Sequence, residues 1–139
     1  MNPVSVDIKD LLVADGLGEF AGTASAQWAI FISEEPDKPN MTITIYDTPG
    51  EAADKVMDGG ADHFMHSGFQ LRVRAKRYLT AHAHIEECRK ALDRRGKFKI
   101  DKTHYDNINM DPEPLPIGKD SQGRHTFTIN GIGYRQERP

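Results

Sequence analysis

The sequence predicts an α+β domain in which an antiparallel or mixed sheet of four to six strands packs against two helices. Two observations carry that expectation. The stretch from Phe69 to Leu92 changes its apolar period from two to about 3.6, the switch from a half-buried strand to an amphipathic helix. Around it lie short alternating runs bounded by Pro, Gly and Asp clusters, preceded by a brief one-sided helical pattern, an order typical of strands and helices that share one core.

Taken in order, Ser5 is placed to cap a first helix through Ile8, Leu11 and Leu12, with Gly16 at the left-handed position after it and Leu17 set to touch Leu12. Ala26–Ser33 reads as an apolar strand, and Glu34–Asn40 with its two prolines as a polar turn. Met41–Tyr46 sets Thr42 and Thr44 against Ile43 and Ile45, so a hairpin is expected. Residues 48–67 form an insertion with two readings. In one, Thr48, Pro49 and Glu51 start a capped helix through Ala52, Ala53, Val56 and Met57 that Gly59 and Gly60 stop. In the other it is a long loop; both place it outside the core.

Phe69, Leu71, Val73 and Ala75 then alternate with Gln70, Arg72, Arg74 and Lys76. Thr80 is placed to cap a second helix whose Ala81, Ile85, Cys88 and Leu92 make one apolar stripe, with Glu86 and Lys90 paired at i, i+4 and Gly96 expected as its left-handed terminator. Lys97–His104 alternates again, with Phe98 and Ile100 on one face. The prolines at 112, 114 and 116 demote Glu113–Ile117 to an edge or bulged strand, and Asp120–Gly123 joins the last strands.

At 139 residues the chain is expected to be a single domain, 1–139, large enough to hold a core without disulfides or metal. Its 21 acidic and 18 basic residues give a net charge of −3, so no general basic field attracts nucleic acid and any DNA contact must be local. The lone Cys88 lies on the apolar stripe and reads as a small core residue. No run is long and apolar enough to cross a membrane, and the N-terminus lacks a signal-peptide pattern; synthesis in the cytoplasm is expected.

Chemistry is thinly represented. Asp58, Asp62, His63 and His66 gather polar ligand types, but their spacing in a non-core segment lacks the i, i+4 geometry of a dependable metal pair. His82 and His84 sit at i, i+2 on the second helix, do not face each other, and are expected to be solvated. Ser33, Ser67 and Ser121 lack a nucleophile elbow, and Gly131 and Gly133 lack the following helix that a phosphate-binding turn needs. No catalytic residue, metal site or cofactor is assigned.

Two features remain for binding. The basic strand face, Arg72, Arg74 and Lys76 with Arg77 beyond, presents planar forks suited to carboxylates of an adjacent subunit or to phosphates. The insertion is too charged and glycine-rich to pack alone, yet it keeps Val56, Met57, Phe64 and Met65 as apolar anchors beside Asp62, a composition that orders on a partner.

The order of Tyr46-Asp47-Thr48-Pro49-Gly50, the Phe69–Tyr78 strand and its helix, Pro116–Asp120 and Gly123-Arg124-His125-Thr126-Phe127 resembles the tail-terminator and minor capsid proteins of long-tailed bacteriophages. The resemblance covers most of the chain, the insertion excepted. It implies a non-enzymatic virion protein at the tail–neck junction, made in the host cytoplasm. Such a protein would be a hexameric ring that caps the tail tube, ends its growth and meets the head-side connector. Its partners would be further copies of itself, the tube protein and the connector, with DNA only a passenger in the channel. The alternatives are a head-completion or neck protein and, from another class, a small cytoplasmic ligand-binding or metal-dependent hydrolytic domain.

Overall fold

The computed structural model describes residues 1–20, 28–52 and 64–137. In chain order they form α1 (Val4–Ala14), β1 (Glu19–Phe20), β2 (Ala29–Ile32), β3 (Thr42–Glu51), β4 (Met65–Ala75), α2 (Tyr78–Leu92), β5 (Phe98–Ile100), β6 (Thr103–Met110), β7 (Leu115–Lys119) and β8 (His125–Glu137). The expected α+β class holds, but the sheet has eight strands rather than four to six, in the order β1-β2-β3-β4-β8-β6-β5 with β7 also on β8. It is mixed, since β1 and β2 run parallel to their neighbours and the rest are antiparallel.

Strand alternation writes the sheet's two faces as rows. On the helix side, register aligns Ile43 with Val73 and Phe127, and Ile45 with Leu71 and Ile129. These six join Ile8 and Leu12 of α1 and Ala81, Ile85, Cys88 and Leu92 of α2 in one core. On the other side, Thr42 aligns with Arg74 and Thr126, and Thr44 with Arg72 and Thr128. The predicted alternation of β4 and the stripe of α2 are therefore both present.

The end of α1 follows the expected Schellman pattern. Gly16 has a φ of 74°, the Leu17 N–H donates to the Leu12 carbonyl at 3.0 Å, and the Gly16 N–H donates to Val13 at 3.1 Å. Its start differs. Pro3 precedes the first turn, and Ser5 lies buried inside the helix, giving its N–H and hydroxyl to the Asp47 carboxylate at 3.0 and 2.8 Å. In α2 the first helical residue is Tyr78, ahead of the expected Thr80, and Arg94 (φ 53°) takes the left-handed position assigned to Gly96. Glu86 pairs with Arg89 at 3.1 Å rather than with Lys90.

Three larger expectations are corrected. Ala26–Ser33 and Met41–Tyr46 do not form a hairpin: β2 and β3 are parallel, and residues 33–41 run back along the sheet to permit it. Lys97–His104 is not one strand, because Asp101 at φ 51° turns the chain and makes it the β5–β6 hairpin. Thr48 starts no helix. Thr48 pairs with Gly68 and Glu51 with His66, so both ends of the insertion lengthen the β3–β4 hairpin. Glycine makes that hairpin possible, since a Cβ on Gly68 would stand 2.2 Å from Thr48 Oγ1 and 2.7 Å from Gly50 Cα. The edge reading of residues 113–117 is met by β7, which has β8 alone as neighbour among the described residues and bulges between Pro116 and Gly118.

Candidate functional site

The basic face of β4 divides by burial. Arg74 is 4% exposed and turned onto the returning 33–41 segment. Its Nη2 donates to the Pro36 carbonyl at 2.6 Å and the Pro39 carbonyl at 2.9 Å, with longer contacts to Asp37 and Asn40, and Glu35 stands 3.6 Å from Nη1. Burial and the neighbouring Arg124 guanidinium pull its pKa below the ordinary arginine value, yet the five-donor fork remains charged. Arg72 lies half-buried, 3.4 Å from the same Glu35. Arg124 completes the clamp, bonding the Asp37 carbonyl and carboxylate and, through Nε at 2.8 Å, the Asp120 carboxylate. Two of the four residues assigned to an outward surface thus work inside the subunit.

Lys76 and Arg77 behave differently. Both are exposed, at the junction of β4 and α2, and no acidic partner meets them among the described residues. Glu35, Asp37 and Asp120 are already matched to Arg72, Arg74 and Arg124. With Asn40, Met41, Ala75 and Thr80, Lys76 and Arg77 line a recess of about 240 Å³. At the start of α2, Leu79 is 75% exposed, and Tyr78 packs over Phe127 with ring centroids 5.0 Å apart. Phe127 is in register with Pro116 of β7, whose Leu115 and Ile117 also stand in solvent. Sequence reading missed this apolar component. Its signal was Leu79, an aliphatic residue off the α2 stripe.

At the other end of β4 the hairpin base forms a cleft of about 460 Å³, bordered by Asp47, Glu51, His66, Ser67 and Arg135. Its polar groups serve structure. Asp47 holds α1 through Ser5, and Ser67 Oγ accepts from Arg135 Nε at 2.9 Å. Arg135 also reaches the Asn2 carbonyl at 2.7 Å and Asp7 at 3.4 Å, while the Tyr105 hydroxyl donates to Asp7 at 2.6 Å. Burial raises the Asp7 carboxyl above its usual range, with Tyr105 and Arg135 opposing that rise, and burial together with the Asp7 contact raises the Tyr105 phenol. This network fastens α1 to β6 and β8. Of the insertion's predicted anchors, Met65 is exposed and Phe64 half-buried beside Phe98 and Tyr105; Val56, Met57 and Asp62 lie outside the described residues, as do Asp58 and His63.

The remaining candidates are placed plainly. His66 stands 3.5 Å from Glu51 and edge-on to Tyr134. His82 is exposed as expected, but His84 is buried, correcting its expected solvation: it stacks on Trp28 at 3.9 Å and its Nε2 donates to the Leu17 carbonyl at 2.8 Å. Cys88 is fully buried and burial pushes its thiol up to about 12, far from a reactive thiolate. Among the described residues no helix is long and apolar enough to cross a membrane.

A family model described as bacteriophage tail terminator protein matches residues 11–131. No curated protein matches the sequence. Among solved structures, a chain described as "Virion of native gene transfer agent (GTA) particle" matches with a TM-score of 0.63, covering 92% of this chain and 90% of that one at 12% identity, a likeness of fold.

Proposed function

The chain belongs to the bacteriophage tail terminator family, and from that premise we propose that it closes into a ring, most simply a hexamer, on the last ring of the tail tube. One face of the ring matches the tube and the other does not reproduce it. Head-to-tail addition then ends, and the second face is left for the head-side connector. DNA crosses the channel without chemistry. The family match over residues 11–131 is the observation that carries this reading. In this reading it is a structural virion protein, and the Asp47, Ser67 and Arg135 side chains of the hairpin cleft fasten α1 and the strands together.

The proposal places Lys76 and Arg77, rather than Arg74, at the contact between subunits, with Met65 and Phe64 at the base of the hairpin facing a partner. The test is position in the particle. Gold-labelled protein should appear once per tail, between tube and neck, and tails assembled without it should overgrow. Label on the head side of the connector, with tails of normal length in its absence, would instead favour a head-completion protein.

A further inference from the structure

We propose that the flank of the sheet formed by β5, β6 and the last turn of pairing on β8 binds the phosphate backbone of duplex nucleic acid. From Arg94 to Lys102 stand five cations and a single acid, Asp101, in a chain whose net charge is −3. Arg95 is held by Asp15 at 2.7 Å. The three lysines of the stretch are not held in this way. Lys97 is 87% exposed and meets Asp106 only at 3.9 Å. Lys99 and Lys102 are exposed and have no acidic partner among the described residues. Glu137 lines the same hollow as Lys102, but it takes the N-terminal amine at 3.5 Å. Because β5 ends the strand order, no described strand covers its outer edge.

Alternation sets Lys97 and Lys99 on one side of the chain, about 6.6 Å apart at two strand steps, while Phe98 and Ile100 pack against the core. That separation is close to the step between successive phosphates of one nucleic-acid strand. Beside the two lysines opens a recess of about 310 Å³, bordered by His104, Asp106, Phe98 and Tyr105. Register carries the lysine side inward: Lys99 stands beside His104, Asn107 beside Tyr134, and Asn109 beside Ile132. These rows hold hydrogen-bonding groups and no carboxylate. Asn107 Nδ2 donates to Asn109 Oδ1 at 2.8 Å, and Asn109 Nδ2 to the Tyr134 hydroxyl at 3.5 Å. Amides and hydroxyls next to lysines are the side chains that hold a phosphate backbone in register. An acidic protein would answer the charge as well. Protein interfaces, however, are poor in lysine and built around an apolar centre, and none of the large apolar side chains exposed among the described residues lies on β5 or β6. Hydrated point charges suffice for a phosphate backbone, because counterions released from it supply the free energy. Turning this flank toward the channel rests on the ring reading; the binding itself does not.

Fluorescence anisotropy of a short labelled DNA duplex, titrated with the full chain between about 50 and 200 mM salt, tests the flank. Wild-type affinity should fall steeply as salt rises. Lys97→Gln, Lys99→Gln and Lys102→Gln together should weaken binding about tenfold or more at the lowest salt, and should flatten the slope of log affinity against log salt by about 2 to 3. Arginine at the same three positions should keep both. A charge-matched control, Lys38→Gln, Lys90→Gln and Lys119→Gln, removes three exposed lysines elsewhere and should change neither. Circular dichroism should show every variant folded, since exposed lysines carry little stability. No binding by the wild type at about 50 mM salt, an unchanged slope in the glutamine variant, or an equal loss in the control overturns the site. A glutamine variant that binds the duplex normally yet no longer joins tail tubes also overturns it, in favour of an acidic protein partner. Ring formation is read separately, by mass photometry of the same samples. A chain that binds the duplex through these lysines and never forms rings removes the ring reading and leaves this site standing.

Discussion

Replacing Arg74 by Met separates the structural arginine from its exposed neighbours on the same strand. Methionine keeps most of the aliphatic stem but removes every donor. The two short bonds, 2.6 Å to Pro36 and 2.9 Å to Pro39, are charge-assisted and bear on carbonyls of a segment that holds no strand. At ~1.5–3 kcal/mol for each such bond, the expected loss is about 3–6 kcal/mol. The contacts at 3.4 Å to Asp37 and Asn40 add little. Urea unfolding followed by far-UV circular dichroism measures the loss, with Lys76→Met as a control expected to stay within about 0.5 kcal/mol. A loss below ~1 kcal/mol for Arg74→Met would refute the reasoning, for it would mean that water serves the 33–41 carbonyls as well as the guanidinium does.

Three further outcomes follow from the packing and the titrating groups. Leu92→Ala, at a fully buried site on the α2 stripe, should cost about 2–5 kcal/mol in the same titration, and a loss under about 0.5 kcal/mol would remove it from the core. Gly68→Ala forces a Cβ against Thr48 and Gly50, so amides of Thr48–Glu51 should exchange faster while those of Leu71–Ala75 stay protected; unchanged exchange at Thr48–Glu51 would show that the hairpin base tolerates the methyl. Burial lowers the His84 pKa from its ordinary 6.5, against the Leu17 carbonyl and Glu87. The unfolded chain therefore takes up the proton first, and the stability of neutral His84 is complete above 6.5 and lost as pH falls through the lower folded value. Unfolding midpoints from about pH 7.5 to 5.5 should fall less steeply for His84→Phe than for wild type, and equal slopes would show that His84 is not the linked group.

Much of this fold can be read from local pattern because local pattern decides it. The period of β4, the stripe Ala81-Ile85-Cys88-Leu92 and the Gly16 ending of α1 each depend on residues a few positions apart. The errors arise where distant partners decide. Nothing between Ile32 and Thr42 announces a parallel return, because it is held by Arg74 and Arg124, which come more than thirty residues later in the chain. The same dependence hides the role of Arg74: alternation assigns it to a polar face, and only the segment lying on that face shows that it is buried. The burial of His84 is hidden for the same reason, because Trp28 and the Leu17 carbonyl that cover it come from far earlier in the chain. Lys76 and Arg77, by contrast, stay where a one-strand reading puts them, since nothing described folds over them.

The place of β8 in the sheet constrains how the protein is made. This thirteen-residue strand fills the middle of the sheet, pairing with β4 along one side and with β7 and then β6 along the other. Of all the described elements it leaves the ribosome last. Until it arrives, β4 and β6 have no neighbour on their inner edges, and the rows Ile43-Val73-Phe127 and Ile45-Leu71-Ile129 each lack their third member. Such non-local closure is slow relative to helix formation. A chain interrupted before Phe127 also lacks the aromatic ring on which Tyr78 rests at the start of α2. A chain that stops before this strand therefore lacks the pairing partner of β4, β6 and β7 at once, and with it the middle of its sheet.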